Sequence, residues 1–446
     1  MRAAFHTLGC KVNQYETEAI KESFIKRGFE IVGEEDPADV YVVNTCTVTN
    51  VADRKSRQYI RRMKRVNPAS VMIVTGCYAQ IAADELEKME DIDIIVGNNL
   101  KSKICDMAED VLNGREKKCV EVLGRSELKE YEDMGIVTSA ESAMSRAYIK
   151  IEEGCDRFCS YCLIPFARGS VRSRPADEIV EEAEDLVAKG FKEIVLTGIN
   201  TALYGSENGC GAGGPIAQVI ERLDAIDGDF RIRLSSLEPT VVRAENVEAL
   251  LRYEKLCHHL HLSVQSGSDR ILKAMNRRYT ARDYLDIVDA LRRFDPFYGV
   301  TTDIIVGFPG ETDEDFTDTL EVVRQAKFAR VHIFKYSPRK NTAAAKFADA
   351  VPGEVKNERA KILEEVAKET AESFNAENFD IPAKVLVEEC EDGYLAGYTD
   401  NYIKTYIEDR TVPEKAVSAE IGDFIGAVPF ENYRDGVRAC IAERPR

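Results

Sequence analysis

Residues 147–162 read AYIKIEEGCDRFCSYC, a strand-like run that ends at a glycine and passes at once into three cysteines, Cys155, Cys159 and Cys162. Five more strand-like runs follow at helix-sized intervals: EIVLTGI, RIRLSSL, HHLHLSV, VTTDIIV and RVHIFKY. Six strands separated by helical stretches predict six βα units in series. With no dinucleotide fingerprint among them, they point to an open or partial barrel. Such a barrel gathers its chemistry at the C-terminal strand ends, which is where the three cysteines stand.

Upstream, the same alternation predicts a doubly wound parallel α/β domain. RAAFHTLG leads to a helix from about Asn13, DVYVVNT to a basic helix, SVMIVTG to a helix ending near Met89, and DIDIIVG to another. Residues 124–146 are polar and weakly periodic, and read as a linker. Downstream, a charged helix over about 353–377 gives way to period-two runs, AKVLVEE to GVRACIAE, that suit a small antiparallel β-barrel. The predicted fold is therefore α/β, with a doubly wound domain at 1–123, a linker at 124–146, a partial (β/α)6 barrel at 147–377 and a small β-barrel at 378–446.

Composition sets further bounds. The chain has 446 residues and is 44% apolar, enough for several cores. No stretch approaches the roughly 20 apolar residues that span a bilayer, and MRAAFHTLGC lacks a signal-type apolar segment, so a cytoplasmic protein with no membrane partner is expected. A net charge of −18 argues against binding nucleic acid through the overall field, and DNA is not expected as a partner. One segment runs against that charge. Residues 54–65, RKSRQYIRRMKR, carry Arg54, Lys55, Arg57, Arg61, Arg62, Lys64 and Arg65 with no acid, which makes either a solvated surface helix or a phosphate grip. Twelve cysteines are too sparse for a disulfide scaffold, and the isolated Cys105, Cys119, Cys210, Cys257, Cys390 and Cys440 read as small buried hydrophobes or idle thiols.

The clustered cysteines read differently. A structural zinc site needs four closed ligands, and this loop supplies three with no histidine near it in sequence. A [4Fe–4S] cube can be held by three thiolates, leaving one iron open for another ligand. The Cys-x3-Cys-x2-Cys spacing resembles that of the radical S-adenosylmethionine (SAM) enzymes. That resemblance implies that the amino and carboxylate groups of SAM chelate the open iron. It also implies that an electron from the cluster splits the sulfonium to give a 5′-deoxyadenosyl radical. By the same resemblance the later strand ends would bind SAM: Thr197, Gly198 and Asn200 after the second strand, Ser236 and Glu238 after the third, Gln265 after the fourth and Gly307 after the fifth. The Thr197-Gly198-Ile199-Asn200 stretch after the second strand departs from the superfamily's commoner Gly-Gly-Glu form.

A second set is scattered. Cys10 in TLGCKVNQYETE, Cys46 in VVNTCTVTN and Cys77 in IVTGCYAQ each follow a predicted parallel strand and precede a helix. This places three thiols along one edge of the sheet, as a second open cluster or as small residues packed at βα turns. These motifs, with EGCDRFCSYCLIPFARGSVRSR and a C-terminal barrel like the TRAM domain, resemble the methylthiotransferases of the radical SAM superfamily over essentially the whole chain. The resemblance implies that Cys10, Cys46 and Cys77 hold an auxiliary [4Fe–4S] cluster, and Cys155, Cys159 and Cys162 the radical-generating one. It further implies a reductant protein such as flavodoxin or ferredoxin.

Family members act on an adenosine beside the tRNA anticodon or on a ribosomal-protein aspartate. Lys11-Val12-Asn13-Gln14 after Cys10, and Cys-Tyr-Ala-Gln at 77–80, resemble the branch that methylthiolates carbon 2 of N6-threonylcarbamoyladenosine at position 37 of tRNA. The alternatives are isopentenyladenosine or the protein aspartate as target, or, more distantly, a non-catalytic iron–sulfur protein for RNA binding or electron transfer. The basic helix after Cys46 would grip tRNA phosphates. Arg168, Arg172 and Arg174 would contact SAM carboxylate or substrate phosphate, or form structural ion pairs. Tyr394, Tyr398, Tyr402 and Tyr406 would stack on bases or pack the small barrel.

Overall fold

The computed structural model describes all residues except 48, 117, 136–144, 210–213, 240–246, 248, 409–419 and 443–446. The chain divides into two compact units. The first comprises Met1–Glu141, Lys150–Pro175 and Ser337–Ala345; the second comprises Ser142–Ile149, Ala176–Tyr336 and Lys346–Arg446. The cysteine loop expected within the barrel domain thus packs with the N-terminal residues.

The first unit is a six-stranded parallel sheet in the order β2-β1-β3-β4-β5-β6. Its strands are β1 (Arg2–Thr7), β2 (Glu30–Val32), β3 (Val40–Thr45), β4 (Val71–Gly76), β5 (Ile94–Val96) and β6 (Cys119–Glu121). Every residue of β3 and β4 is buried, which explains why VYVVNT and VMIVTG read as near-continuous apolar runs rather than alternating ones. The helices are α1 (Lys11–Lys26), α2 (Asn50–Val66), α3 (Cys77–Ile81), α4 (Ala83–Leu86) and α5 (Ile104–Leu112). Val42, Ile73 and Ile94 fill the core on one face with α5's Ile104, and Tyr41, Val43 and Met72 fill the other with α2's Tyr59, Ile60 and Met63. Burying each such side chain is worth about 1.5–3 kcal/mol. α2 starts where Thr49 Oγ1 accepts the Ala52 N–H at 3.2 Å, and it ends in Lys64 and Arg65, cations that suit a helix C-terminus.

β7 (Arg146–Lys150) leads into the cysteine loop, which is flanked by the antiparallel pair β8 (Glu152–Glu153) and β9 (Arg172–Ser173) and holds the short α6 (Ile164–Ala167). The expected linker is stitched down where it is described. Tyr131 donates to the Lys150 carbonyl at 2.8 Å, and Glu132 accepts from the N–H and hydroxyl of Ser102. Arg339 in the segment 337–345 is buried and donates to Asp53 Oδ2 at 2.6 Å and Thr47 Oγ1 at 2.5 Å.

In the second unit the six expected strands form two arcs. One is β11 (Arg231–Leu234), β10 (Glu193–Thr197) and β7; the other is β12 (Ser236–Leu237), β13 (His259–Leu262), β14 (Gly299–Val306) and β15 (Arg330–Lys335). RIRLSSL, expected as one strand, changes neighbour at Ser235: Leu234 pairs beside β10, and Ser236 beside His261 of β13. The helix Gly353–Glu377 matches its expected span, and its Phe374 packs against Ile403 and Val437. Five C-terminal strands close a barrel, β16 (Ala383–Glu391), β17 (Tyr394–Tyr398), β18 (Lys404–Glu408), β20 (Gly436–Ile441) and β19 (Phe424–Tyr433), around Val385, Val387, Ile407, Ile425 and Ala427. All its pairings are antiparallel except β18 with β20. An odd number of strands cannot close with alternating directions throughout, so one parallel pair is required.

Candidate active site

The scattered cysteines meet because their strands are neighbours. β1, β3 and β4 lie side by side, Thr45 is in register with Gly76, and Cys46 and Cys77 are the next residues. Cys10 caps the start of α1, whose N-terminal dipole favours an anion. Cys10 and Cys46 flank the gap between β1 and β3, where chain order reverses and a doubly wound sheet opens its binding crevice. A Cβ on Gly9 would fall 3.0 Å from the Cys46 Cβ, so the first two turns touch. Gly76 has φ +94, and a side chain there would sit 2.3 Å from the Thr45 carbonyl oxygen; only glycine lets β4 turn sharply enough to deliver Cys77. Cys10 is an exposed residue, whereas Cys46 and Cys77 are buried.

The contiguous triad is shaped by the same device. Gly154 has φ +85, and a Cβ there would lie 2.0 Å from the Ser170 carbonyl oxygen, because the returning chain crosses over the loop. The crossing is fastened by Cys155 N–H to Gly169 O at 3.0 Å and Val171 N–H to Asp156 Oδ2 at 3.0 Å. Cys162 N–H bonds Cys159 O at 3.0 Å, closing the turn between the last two thiols. Burial, and then the neighbouring Cys162, Glu152 and Cys159, push the Cys155 thiol up, outweighing a hydrogen bond from the Arg157 backbone. Thiols this close oppose one another's ionisation, and a polynuclear cation that takes all three as thiolates relieves the conflict. Among the described residues no three His, Cys, Asp or Glu side chains converge as ligands of a single ion. A [4Fe–4S] cube asks for less convergence, since its three cysteines bind three different irons.

Around Cys77 lies a buried ionic network that motif reading missed. Arg168, fully buried, spends its guanidinium on Glu16 Oε1 (2.8 Å), Glu153 Oε1 (2.8 Å) and Asn13 Oδ1 (2.8 Å), and its Nε lies 3.3 Å from Cys77 Sγ. Lys101 and Lys150 also pair with Glu16, and Lys150 with Glu153 at 3.3 Å. Asn98 bridges Lys101 Nζ (2.9 Å), the Ala167 carbonyl (2.9 Å) and Cys77 Sγ (3.8 Å). Arg168, Lys101 and Lys150 surround the carboxylates of Glu16 and Glu153, and Arg168 Nε and Asn98 Nδ2 both face Cys77 Sγ. The thiols and their setting therefore fit an anionic iron–sulfur cluster. For Arg168 the structural ion pair, rather than a contact to SAM or phosphate, is what the geometry supports.

In the second unit Asn200 and Glu238 come together: Asn200 Nδ2 donates to Glu238 Oε2 at 3.2 Å, and Asn200 Oδ1 accepts the Glu238 N–H at 3.2 Å. Arg277, which the sequence did not single out, lies 3.3 Å from Glu238. Thr197 is buried at the end of β10, and half-buried Ser236 gives its carbonyl to Thr201. Gln265 adopts φ +66 and clamps β14 through Asp303 O and Ile305 N–H. Gly307 stands apart, bonded to Glu311, with a Cβ position 2.3 Å from Lys356.

Of the seven cations on α2, Arg57, Arg62 and Lys64 engage Glu85, Glu35 and Asp93. Arg54, Lys55, Arg61 and Arg65 are exposed; Arg54, Arg61 and Arg65 recur at helical spacing on one face. The barrel tyrosines favour packing over display. Tyr406 is buried and bonds Asp435; Tyr402 stacks on His259 (4.4 Å) and Tyr398 (4.9 Å), with Arg146 over Tyr398 at 4.7 Å. Of the isolated cysteines, Cys105 and Cys257 are buried, Cys119 is half-buried, and Cys390 and Cys440 are exposed; Cys210 lies outside the described residues.

Comparison with known proteins identifies the family. Residues 149–323 match the Radical SAM superfamily and residues 2–97 an uncharacterized protein family, UPF0004. The chain is 43% identical over 410 residues to the threonylcarbamoyladenosine tRNA methylthiotransferase MtaB of Bacillus subtilis, covering 90% of this chain and 89% of the relative. It is 38% identical over 439 residues to the MtaB of Thermotoga maritima, covering 98% and 96%. The chain belongs to the radical SAM methylthiotransferases. As such an enzyme it works with SAM and [4Fe–4S] chemistry. In fold, this methylthiotransferase also resembles the radical SAM methyltransferase TsrM of Kitasatospora setae solved with cobalamin and a [4Fe–4S] cluster, with a TM-score of 0.55, 15% identity, and coverage of 75% of this chain and 74% of that one. Among the described residues no helix is long and apolar enough to cross a membrane.

Three of its six clustered cysteines follow glycine, in Gly9-Cys10, Gly76-Cys77 and Gly154-Cys155. That pairing was a readable signal. Glu16, Asn98, Lys101 and Arg277 carried none, since their roles depend on contacts distant in sequence.

Proposed function

We propose that this methylthiotransferase modifies carbon 2 of N6-threonylcarbamoyladenosine at position 37 of tRNA, using two [4Fe–4S] clusters. The observation that carries the reading is two three-cysteine sets, each placed by a sharp glycine turn, in a chain 43% identical to an MtaB. Cys155, Cys159 and Cys162 hold the radical-generating cluster, and Cys10, Cys46 and Cys77 the auxiliary one. When bound, the first supplies the electron that splits SAM and so the radical that removes the carbon 2 hydrogen.

The chain's own residues bind and orient. Gly154 and the Cys155–Gly169 bond fix the first loop; Arg168 and Asn98 steady Cys77. Thr197, Gly198 and Asn200 bind the methionine end of SAM, and Ser236, Gln265, Gly307 and Glu238, which Arg277 holds, serve the same ligand from the later strand ends. The exposed Arg54, Lys55, Arg61 and Arg65 grip phosphates, with Arg57, Arg62 and Lys64 able to exchange their weak surface pairs for the same use. Residues 378–446 act as a TRAM-like RNA-binding domain, 1–123 and 147–377 as the auxiliary-cluster and radical domains, and a flavodoxin or ferredoxin supplies electrons in the cytoplasm.

Mass spectrometry of tRNA nucleosides from a strain lacking the gene tests the substrate. Loss of the methylthio form of threonylcarbamoyladenosine alone is the expected result. Loss of the isopentenyladenosine product, or of methylthio-aspartate in a ribosomal protein, would reassign it.

A further inference from the structure

Beside the contiguous cysteine loop lies a cleft of about 660 Å³ whose lining includes Arg125, Ser126, Lys129, Ser170 and Arg172 and no acidic side chain. Arg172 is only 4% exposed. One of its terminal nitrogens, Nη1, donates to the carbonyls of Arg168 (2.8 Å), Leu128 (3.1 Å) and Ser170 (3.2 Å), while Nε and Nη2 make no hydrogen bond. The Glu153 carboxylate is 3.6 Å from Nη2, beyond hydrogen-bonding distance. Nε and Nη2 are sealed from solvent and Nη2 faces the Glu153 carboxylate, so the charge that the cleft presents to an anion is that of the exposed Arg125 and Lys129. Glu127 does not answer it, because its carboxylate turns back to the Gly124 N–H at 2.7 Å.

Next to the cleft stand two exposed aromatic rings. Phe158 and Phe166 are 38% and 40% exposed and meet edge to face at 6.1 Å. Phe158 has φ +49, a backbone state that bulky residues rarely adopt and that recurs at functional sites. Arg125 joins the two features: it lines the cleft, its guanidinium lies 4.9 Å over the Phe158 ring, and its Nε donates to the Pro165 carbonyl at 3.1 Å.

We propose that this is a single-stranded RNA subsite, in which a backbone phosphate enters the cleft toward Arg125 and Lys129 and an unpaired base beside it stacks on Phe158 and Phe166. Basic grooves flanked by aromatic rings are how proteins hold unpaired nucleotides. A concave cleft lined by Arg125 and Lys129 and by no acidic side chain suits a phosphate better than the flatter face of a protein partner. The subsite rests on the tRNA reading and adds to it a place for a nucleotide flanking the modified adenosine.

The test is binding of a synthetic anticodon stem-loop carrying N6-threonylcarbamoyladenosine to the reconstituted full chain, by fluorescence anisotropy across a salt series. The exposed pair Arg125→Ser/Lys129→Ser should weaken binding about tenfold and flatten the salt dependence by between one and two units of slope. Phe158→Ser should weaken it about tenfold with the slope unchanged. If the wild-type chain binds and both variants match it in affinity and slope, the subsite is overturned and the tRNA reading stands. If the variants bind RNA normally but are reduced more slowly by flavodoxin, the surface belongs to the reductant and the subsite is again overturned. If the wild-type chain ignores the stem-loop, the tRNA reading falls and the subsite with it.

Discussion

The two cysteine sets are positioned by opposite routes. Cys155, Cys159 and Cys162 sit within one loop, so a handful of local hydrogen bonds across Gly154 and Gly169 is enough to hold them. Cys10, Cys46 and Cys77 come from three strands, and their meeting depends on the β1-β3-β4 order, on the Thr45–Gly76 register and on the buried charges around Arg168. A site built locally survives disturbance of the fold around it; a site built from the fold does not. The dispersed set is also tied into a buried ionic network, with Arg168 Nε at 3.3 Å from Cys77 Sγ.

The sharpest way to break this comparison is to separate the two jobs. Cys155→Ala should abolish 5′-deoxyadenosine formation entirely, whereas Cys10→Ala should leave SAM cleavage and abolish methylthio transfer. Chromatography of the reaction products reads both. Each variant should retain about four irons of the roughly eight expected after reconstitution. An equal partial loss of both activities in the two variants would mean that the sets do not divide the work.

What could be read from the sequence follows the same divide. The contiguous motif, the six strands from Ala147 onward and the 353–377 helix were legible because each rests on local periodicity or spacing. Position after a strand was enough to bring Cys10, Cys46 and Cys77 forward, because a parallel sheet aligns its strand ends. Arg168 and Arg172 were legible only as arginines near a cluster motif. Whether a guanidinium meets Glu16 or a phosphate is decided by a helix some 150 positions away, at a separation of 152 residues in the case of Glu16. The strand change at Ser235 was hidden for a related reason: RIRLSSL has one period, and only its neighbours reveal two pairings.

Removing the ionic tie should hurt the dispersed set most. Arg168→Met leaves Glu16 and Glu153 buried with less compensation and should destabilise the apoprotein by about 3–5 kcal/mol. Cys159→Ala in the half-buried loop should cost no more than about 1 kcal/mol. Chemical denaturation compares them. Glu193 gives the same physics in the second unit. It is fully buried, held bidentately by Arg233 at 2.9 Å and 2.9 Å, and contacted by Arg231 and by Arg146 at 3.2 Å. Burial alone would raise its pKa, but Arg233, Arg231 and Arg146 together hold it well below the usual carboxylate range. Because the folded pKa is depressed, the unfolded chain takes up the proton first on acidification. Glu193 therefore contributes its stability above about pH 4.3 and loses it as pH falls below that value. The stability gap between wild type and Glu193→Gln should thus shrink between neutral pH and pH 3, and a gap constant with pH would show that the carboxylate is not ionised in the fold.

The smallest expected effects concern α2, which follows Cys46 and so belongs to the dispersed set. If that helix grips RNA, its cations should not be equal. Arg54 and Arg61 share an exposed face, while Arg62 is held by Glu35. Arg54→Ser/Arg61→Ser should weaken tRNA binding about tenfold and lower the salt slope by between one and two. Arg62→Ser should change affinity by less than about twofold, because the exposed pair with Glu35 is worth little and already neutralises part of its field. Equal losses from all three would mean that the helix acts through its total charge, and the distinction between paired and unpaired arginines would carry no weight for binding.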